Sequence, residues 1–342
     1  MASQDELTAG VKALAREAGF ARVGIAAAGA VADGPAFQEW LAGGLHGSMG
    51  YLARNVAKRL RPDRLVPGAR SVICLAVGYA PRPGETPPEG ERVARYARGR
   101  DYHKVLKRRC RGLMDRIRQI APAFEGRAFV DSAPVLERSI ARAAGVGWIG
   151  RNRCLTVPGL GSYVFLCEIV CALPLRPDTP LASACDDCGA CVRACPTGAL
   201  TETGLDARRC ISYLTVEHDG PIDRALWPLV GRRLVGCDAC QEACPHNAAV
   251  PAGDAELRRA EAPLGGAGPV DILGWTEADW DRATRGSAAR RASFERLLRN
   301  AVLAAGNSPA APGRLAALRE LLRRREDPGE AIAWAIDRLS GR

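Results

Sequence analysis

Apolar positions in the first half of the chain alternate between helical and strand spacing. Leu7, Val11, Leu14 and Ala18 recur every three or four residues, which defines one face of a helix over residues 5–18, and Gly19 stops it. Residues 21–27 read as a short strand and 35–41 as a second helix. The continuous apolar run 71–79 has strand length and the pattern of a strand covered on both faces. The Pro- and Gly-rich stretch 81–92 continues neither element and reads as a surface loop. Asp101 is placed to cap a helix running to about Ile120, 127–130 is a short strand, and 134–144 is a helix stopped by Gly145. A second buried strand covers 162–170. This alternation, up to about residue 175, predicts an α/β or α+β core.

The pattern changes near Pro174. Residues 185–245 are dense in cysteine and poor in periodic segments, and 253–270, rich in Gly, Ala and Pro, reads as a linker. Beyond it, Phe294, Leu297, Leu298, Val302 and Leu303 recur at helical spacing, followed by helices over 315–325 and 328–339. Helices joined by short loops resemble a HEAT-like repeat, with too few units to stand alone, so this segment is expected to pack on the rest. The class read from the pattern is α+β: an α/β domain over 1–176, a ferredoxin-like domain over 177–250, and a linker with a HEAT-like helical segment over 251–342.

Composition narrows the setting. The 342 residues suffice for two or three domains, and a 47% hydrophobic content excludes wholesale disorder. No apolar run reaches the roughly 18–20 residues of a membrane span, and the opening MASQDELTAG lacks the regions of a signal peptide. A cytoplasmic protein without membrane contact is expected. In a reducing compartment 13 cysteines are not a disulfide framework, and metal is the first explanation. The net charge of +10 favours a polyanionic partner and says nothing about fold. Nearly all the positive charge is arginine, since the lysines are just Lys12, Lys58, Lys104 and Lys107.

Eight cysteines fall between residues 185 and 244. Cys185-x-x-Cys188-x-x-Cys191-x-x-x-Cys195-Pro196 is the bacterial ferredoxin run, in which three thiolates wrap one [4Fe–4S] cluster and the fourth reaches a neighbouring cluster. Cys237-x-x-Cys240-x-x-x-Cys244-Pro245 is the same run without its first cysteine, because position 234 is Leu234. Two clusters need eight ligands, the runs supply seven, and Cys210 between them is the natural eighth. Cross-ligation then assigns Cys185, Cys188, Cys191 and Cys244 to one cluster, and Cys195, Cys210, Cys237 and Cys240 to the other. Zinc favours two separated Cys-x-x-Cys pairs rather than a four-cysteine run ending in Cys-Pro. Two linked clusters mean electron transfer. Cys74, Cys110, Cys154, Cys167 and Cys171 are scattered; Cys74 and Cys167 read as core residues.

The segment ahead of the clusters is long enough for a cofactor or substrate domain, yet it has no Gly-x-Gly-x-x-Gly fingerprint and no Walker loop. The residues alone reach as far as a two-cluster reductase with an unidentified second cofactor. Several segments carry a resemblance further: Gly47-Ser-Met49-Gly-Tyr51-Leu-Ala-Arg54-Asn55, Ala94-Arg95-Tyr96 through Asp101-Tyr102-His103, Asp131-Ser-Ala-Pro134-Val-Leu136-Glu137-Arg138, Gly147-Trp148-Ile149-Gly150-Arg151-Asn152, Cys210-Ile-Ser212-Tyr213-Leu214-Thr215-Val-Glu217, and Gly236-Cys237-Asp238-Ala-Cys240-Gln241. In this order, and with Arg296-Leu-Leu-Arg299-Asn300-Ala beyond them, the chain resembles the epoxyqueuosine reductases along nearly its whole length.

The resemblance implies a cobalamin-dependent oxidoreductase that reduces the epoxide of epoxyqueuosine at the wobble position of tRNA to give queuosine. Cobalamin would lie between the N-terminal domain and the clusters, without a histidine ligand from the protein. Arg54, Tyr96, Asp131, Asn152, Thr156, Ser212, Thr215, Gly236 and Cys237 are the expected cofactor contacts. Opening an epoxide requires a general acid at its oxygen, and the resemblance gives that role to Asp131, with a pKa raised by burial under the cofactor. Asp131 also suits a helix N-cap, as does Ser132. Arg290, Arg291, Arg296 and Arg299 are the expected tRNA contacts, the remaining partner is a low-potential electron donor, and a monomer is implied. The alternatives are a corrinoid iron–sulfur reductase of a small molecule and a non-catalytic electron-transfer subunit.

Overall fold

The computed structural model describes residues 3–82, 93–258, 263–325 and 328–341. Its centre is a four-stranded sheet of β1 (Arg22–Ala27), β2 (Ser71–Gly78), β6 (Val164–Cys171) and β3 (Gly126–Phe129), in that spatial order. A short hairpin of β4 (Trp148–Ile149) and β5 (Leu155–Thr156) stands apart from it. Every pairing in the main sheet is antiparallel. The α/β expectation for residues 1–176 is therefore corrected to an antiparallel, α+β arrangement: local alternation of strand and helix does not record strand direction.

The continuous apolar run at β2 does correspond to a strand buried at every position. Ile73, Leu75 and Val77 face one core, and Val72, Cys74 and Ala76 face another. Helices Gln4–Glu17 and Tyr102–Ile120 cover the first face, and Glu137–Ala143 covers the second. The second face is tight: a Cβ on Gly24 would stand 2.0 Å from the Ala144 carbonyl oxygen, so β1 must carry glycine there.

Two loops differ from expectation. The helix read over 134–144 begins later, at Glu137, with Leu136 at its N-cap. Asp131 and Ser132 cap nothing, and residues 131–136 form an irregular approach that frees the Asp131 side chain. The 253–270 stretch is not a free linker where it is described. Gly253 N–H donates to the Ala80 carbonyl at 2.9 Å, Leu257 is fully buried, and Asp254 and Glu256 pair with Arg109, Arg100 and Arg108. Most of the 81–92 loop lies outside the described residues.

The larger core runs without a break from Val11 to Ile336, so the sheet, the cysteine-rich segment and the C-terminal helices share one interior. The join is polar. The short helix Ile211–Val216 ends in carbonyls that its own turns cannot satisfy. Tyr213 O accepts from the backbone of Glu217 and His218. Leu214 O accepts from Arg299, Thr215 O from Asn300 Nδ2 at 2.9 Å, and Val216 O from Arg296 Nη1 at 2.7 Å. All three donors lie on the helix Phe294–Gly306. Arg299, 6% exposed, also donates to the carbonyls of His218 and Gly220.

Arg299→Ala is expected to lower stability by about 3–5 kcal/mol, since it strands several buried acceptors at once. Arg290→Ala, which removes an exposed pair with Asp281, should change it by about 0.5 kcal/mol or less. Thermal denaturation of the two variants beside the parent protein checks the contrast.

Candidate active site

The cysteines gather into the two sets expected from their spacing. Cys185, Cys188, Cys191 and Cys244 line one cavity, together with Trp148, Asn152, Thr156 and His246. In the other set Cys210 lies close enough to Cys195, and Cys240 to both Cys237 and Cys210, for their charges to interact. Among the described residues no three His, Cys, Asp or Glu side chains converge on a single-ion position; the thiols of the first set line a cavity instead. The donor set fits an iron–sulfur cluster. In the first cavity Nε1 of Trp148 and Nδ2 of Asn152 are buried donors without an acceptor among the described residues, the kind of group that hydrogen-bonds cluster sulfur. Of the remaining cysteines, Cys74, Cys110, Cys167 and Cys171 are buried, with the thiols of Cys110 and Cys167 3.5 Å apart. Cys154 differs, lying against Cys240, a proximity that its place in the sequence gave no means to read.

Cys210 is the N-cap of Ile211–Val216, and Glu217 is the C-cap. Glu217 belongs to a cleft on the other side of that helix, where it accepts both Nε and Nη2 of Arg291 at 2.8 Å. Arg291 also stacks on the Tyr51 ring. Tyr51, Tyr96 and Arg291 stand near enough to Asp131 to act on it or feel its charge. Asp131 follows β3 in a left-handed conformation, φ +50°, rare for a residue with a side chain. Its side chain is 56% accessible in the open cleft.

The Asp131 carboxyl meets two residues that sequence reasoning did not single out for chemistry, one through a hydrogen bond and one as a nearby imidazole. The Tyr102 hydroxyl donates to Oδ2, and His103 Nε2 lies 3.7 Å from the same oxygen. Tyr102 stacks between Phe165 and His103, and His103 Nδ1 meets Asp101 at 2.8 Å. Desolvation acts to raise the Asp131 pKa, but the His103 and Tyr102 contacts outweigh it and hold the carboxyl below its ordinary range. This corrects the expectation of a raised value in the protein by itself. Desolvation likewise opposes the charge on His103, while the nearby Asp131 carboxylate and the hydrogen bond with Asp101 raise its pKa above the ordinary histidine value. Their placement at the start of one helix, directly after the Asp101 N-cap, was the available signal.

The other expected cofactor contacts divide. Arg54 is exposed, and Ser212 is half-buried with no protein partner for its hydroxyl among the described residues. An accessible carboxyl, aromatic walls and an unpaired hydroxyl fit a large polar cofactor. Thr215 does not belong in that wall: it is fully buried, donates to Ile211 O at 2.7 Å and accepts Gly236 N–H at 2.9 Å. Gly236 is required by its neighbours, since a Cβ there would stand 2.7 Å from that of Ala94 and 3.0 Å from the Tyr96 ring. Cys237 lies with the second thiol set. Asn152 and Thr156 line the first cysteine cavity.

The expected tRNA stripe is corrected as well. Arg299 is buried, and Arg296 is spent on Asp219 and the Val216 carbonyl. Arg290 and Arg291 keep exposed guanidinium groups, though each also pairs with a carboxylate.

Comparison with known proteins agrees with this arrangement. Residues 59–132 match the family described as epoxyqueuosine reductase QueG, DUF1730, and 184–247 match a 4Fe–4S double cluster binding domain. The epoxyqueuosine reductase of Xanthomonas campestris is 43% identical over 97% of this chain and 96% of its own length. That of Alicycliphilus denitrificans is 42% identical over 98% and 99%. The fold matches the epoxyqueuosine reductase structure from Streptococcus thermophilus with a TM-score of 0.88 at 24% identity, over 98% of this chain and 90% of that one. With identity above 40% along nearly the whole of both chains, the protein belongs to the epoxyqueuosine reductase family.

Proposed function

We propose that this oxidoreductase reduces the epoxide of epoxyqueuosine at the wobble position of tRNA, giving queuosine and water from two electrons and two protons. The observation that carries the reading is the six-residue helix Ile211–Val216, which has Cys210 of one thiol set at its N-cap and Glu217 of the Asp131 cleft at its C-cap. About 9 Å of helix thus separates a place for electrons from a place for protons. Full-length likeness to proteins named epoxyqueuosine reductase favours this over the two alternatives weighed from the sequence.

In this reading Cys185, Cys188, Cys191 and Cys244 hold one [4Fe–4S] cluster, and Cys195, Cys210, Cys237 and Cys240 the other. Trp148 and Asn152 would donate N–H groups to the first. Cobalamin, when bound, supplies the reducing chemistry at the carbon–oxygen bond; Arg54, Tyr96 and Ser212 would help hold it. Asp131, hydrogen-bonded to Tyr102 and close to His103, delivers the proton to the oxygen that leaves. With Asp131 shifted down and His103 up, a proton is favoured on His103 over Asp131, and it would reach the substrate oxygen through Asp131. An epoxyqueuosine base in an anticodon loop can be splayed into such a cleft at lower cost than a base in a duplex, and Arg290 and Arg291, whose guanidinium groups are exposed, would meet backbone phosphates. A low-potential donor would reduce the clusters one electron at a time, and the chain would work as a cytoplasmic monomer, with the HEAT-like segment serving to fix the cluster side.

Anaerobic incubation of the reduced, cobalamin-loaded protein with epoxyqueuosine-containing tRNA should convert the nucleoside, as mass analysis of the digested tRNA would show; intact clusters without conversion would overturn the reading. Asp131→Asn should keep the clusters and cobalamin but lose turnover by about a hundredfold or more, and normal turnover would remove Asp131 from the chemistry. The pH dependence has a defined sign. Because the His103 pKa is raised, the proton is present below the ordinary histidine range and is lost as pH rises through the raised value. Turnover should therefore fall on the alkaline side, and His103→Gln should abolish that limb of the pH–rate profile.

A further inference from the structure

A second acidic group, buried beneath Asp131, is not required by proton delivery from Asp131 itself. Glu168 lies mid-strand in β6, opposite Cys74 of β2 and Phe129 of β3, and is fully buried. Its surroundings on that face are apolar, with Leu166, Val170 and Val135 in the same core. Among the described residues, neither carboxyl oxygen receives a bond from an N–H or hydroxyl donor. The group that meets it is the Glu137 carboxyl, on the helix covering that face. A bare carboxylate in such a place is far too costly to persist, so the two carboxyls hold at least one proton between them. Glu137 Oε1 in turn accepts the backbone N–H of Asp131 at 2.6 Å. That peptide carries the left-handed φ, a conformation that a non-glycine residue keeps only where its surroundings fix it.

We propose that Glu168 and Glu137 share a buried proton and, through the Glu137 acceptor, hold the Asp131 peptide in its left-handed turn, so that both are positioning residues for the proton donor. The order of bonds is Glu168 carboxylic acid to Glu137, and Asp131 N–H to Glu137. The charged and titratable groups facing this pair are Asp131, Arg138 and Tyr102 at Glu137, and Asp131, Cys74, Cys110 and Cys167 at Glu168. Arg138 is the cation among them, and its guanidinium already donates to the Arg153 carbonyl. Desolvation, then the charge of Asp131, raises Glu137 to about 8; desolvation and Glu137 raise Glu168 further. The pair therefore keeps its proton across the neutral range.

The inference rests on Asp131 as the proton donor and adds what fixes it in place. In the cobalamin- and cluster-loaded enzyme, Glu137→Ala should lower kcat by about tenfold or more, with KM for the tRNA within about twofold, because the tRNA site is untouched. Glu137→Gln should recover to within about threefold of wild type, since its amide oxygen still accepts the Asp131 N–H. Infrared spectroscopy, which reads the pair without turnover, should show a deuterium-sensitive carbonyl stretch of a protonated carboxyl at neutral pH that weakens or shifts in Glu168→Gln. An unchanged band in Glu168→Gln, or wild-type kcat in Glu137→Ala while Asp131→Asn is inactive, overturns the inference alone. Active Asp131→Asn overturns the donor role alone, and the infrared band still decides whether the pair shares a proton. Should Glu137→Ala lose its clusters, Glu168→Gln and its band carry the test.

Discussion

A helix of six residues has almost as many unsatisfied carbonyls as residues, and Ile211–Val216 ends inside the protein rather than in water. Its orientation determines where Cys210 sits at one end and where Glu217 and Arg291 meet at the other. The chain satisfies those carbonyls with Arg296, Arg299 and Asn300, three donors at helical spacing on one face of Phe294–Gly306. The C-terminal helices are thereby a structural part of the redox site. They carry the donors that a helix this short cannot provide for itself, and the apolar packing of Leu297, Leu298 and Val302 brings those donors to the place of need.

The sheet imposes the complementary constraint. Because β2 and β6 are covered on both faces, any polar group on them must find its partner within the core. Ser71 does so by donating to the Leu173 carbonyl at 2.7 Å and accepting Leu175 N–H at 3.0 Å. Glu168 does so through Glu137, whose position at the start of a helix is possible because that helix begins three residues after Pro134 rather than at it. The irregular run 131–136 is thus linked on both sides: it delivers Asp131 to the cleft and Glu137 to the core. Were the helix to begin at Pro134, as capping chemistry alone favours, the Asp131 carboxyl would turn toward its own backbone and away from Tyr102 and His103.

Much of this was legible from the residues. Helix Gln4–Glu17, the buried run at β2 and the Asp101-capped helix to Ile120 appear where periodicity put them, since each is long enough for its pattern to be unambiguous. The two thiol sets followed from ligand spacing and one missing cysteine. What escaped depends on contacts distant in sequence. Strand direction is invisible in local alternation. The 253–258 stretch looked like a linker because its packing partners, Gly78, Tyr79 and Gly99, lie far back in the chain. Thr215 carries the side chain expected of a cofactor contact, but both its hydrogen-bonding capacities are used within the fold. His103 and Tyr102 sat beside a recognised N-cap, yet their nearness to Asp131 depends on the sheet folding β3 against that helix.

The arginine content shows why a net charge cannot be read directly as a binding surface. Arginine offers five donors in a planar fork and keeps its charge when buried, so a protein with many short helix ends can use it to satisfy carbonyls and still register the charge in its total. Arg299 and much of Arg296 belong to that internal use. The positive charge free to meet a polyanion is therefore placed differently from the arginines of the helix Phe294–Gly306. Arg54 is exposed near the turn that brings Tyr51 to Arg291, and Lys107 reaches Ser132, the neighbour of Asp131, at 3.1 Å. Arg291, paired with Glu217 and stacked on Tyr51, stands at the cleft as well. Charge at the rim of a cleft draws a polyanion toward the reacting group itself, an arrangement suited to a substrate of which one base must enter and the rest must be held outside.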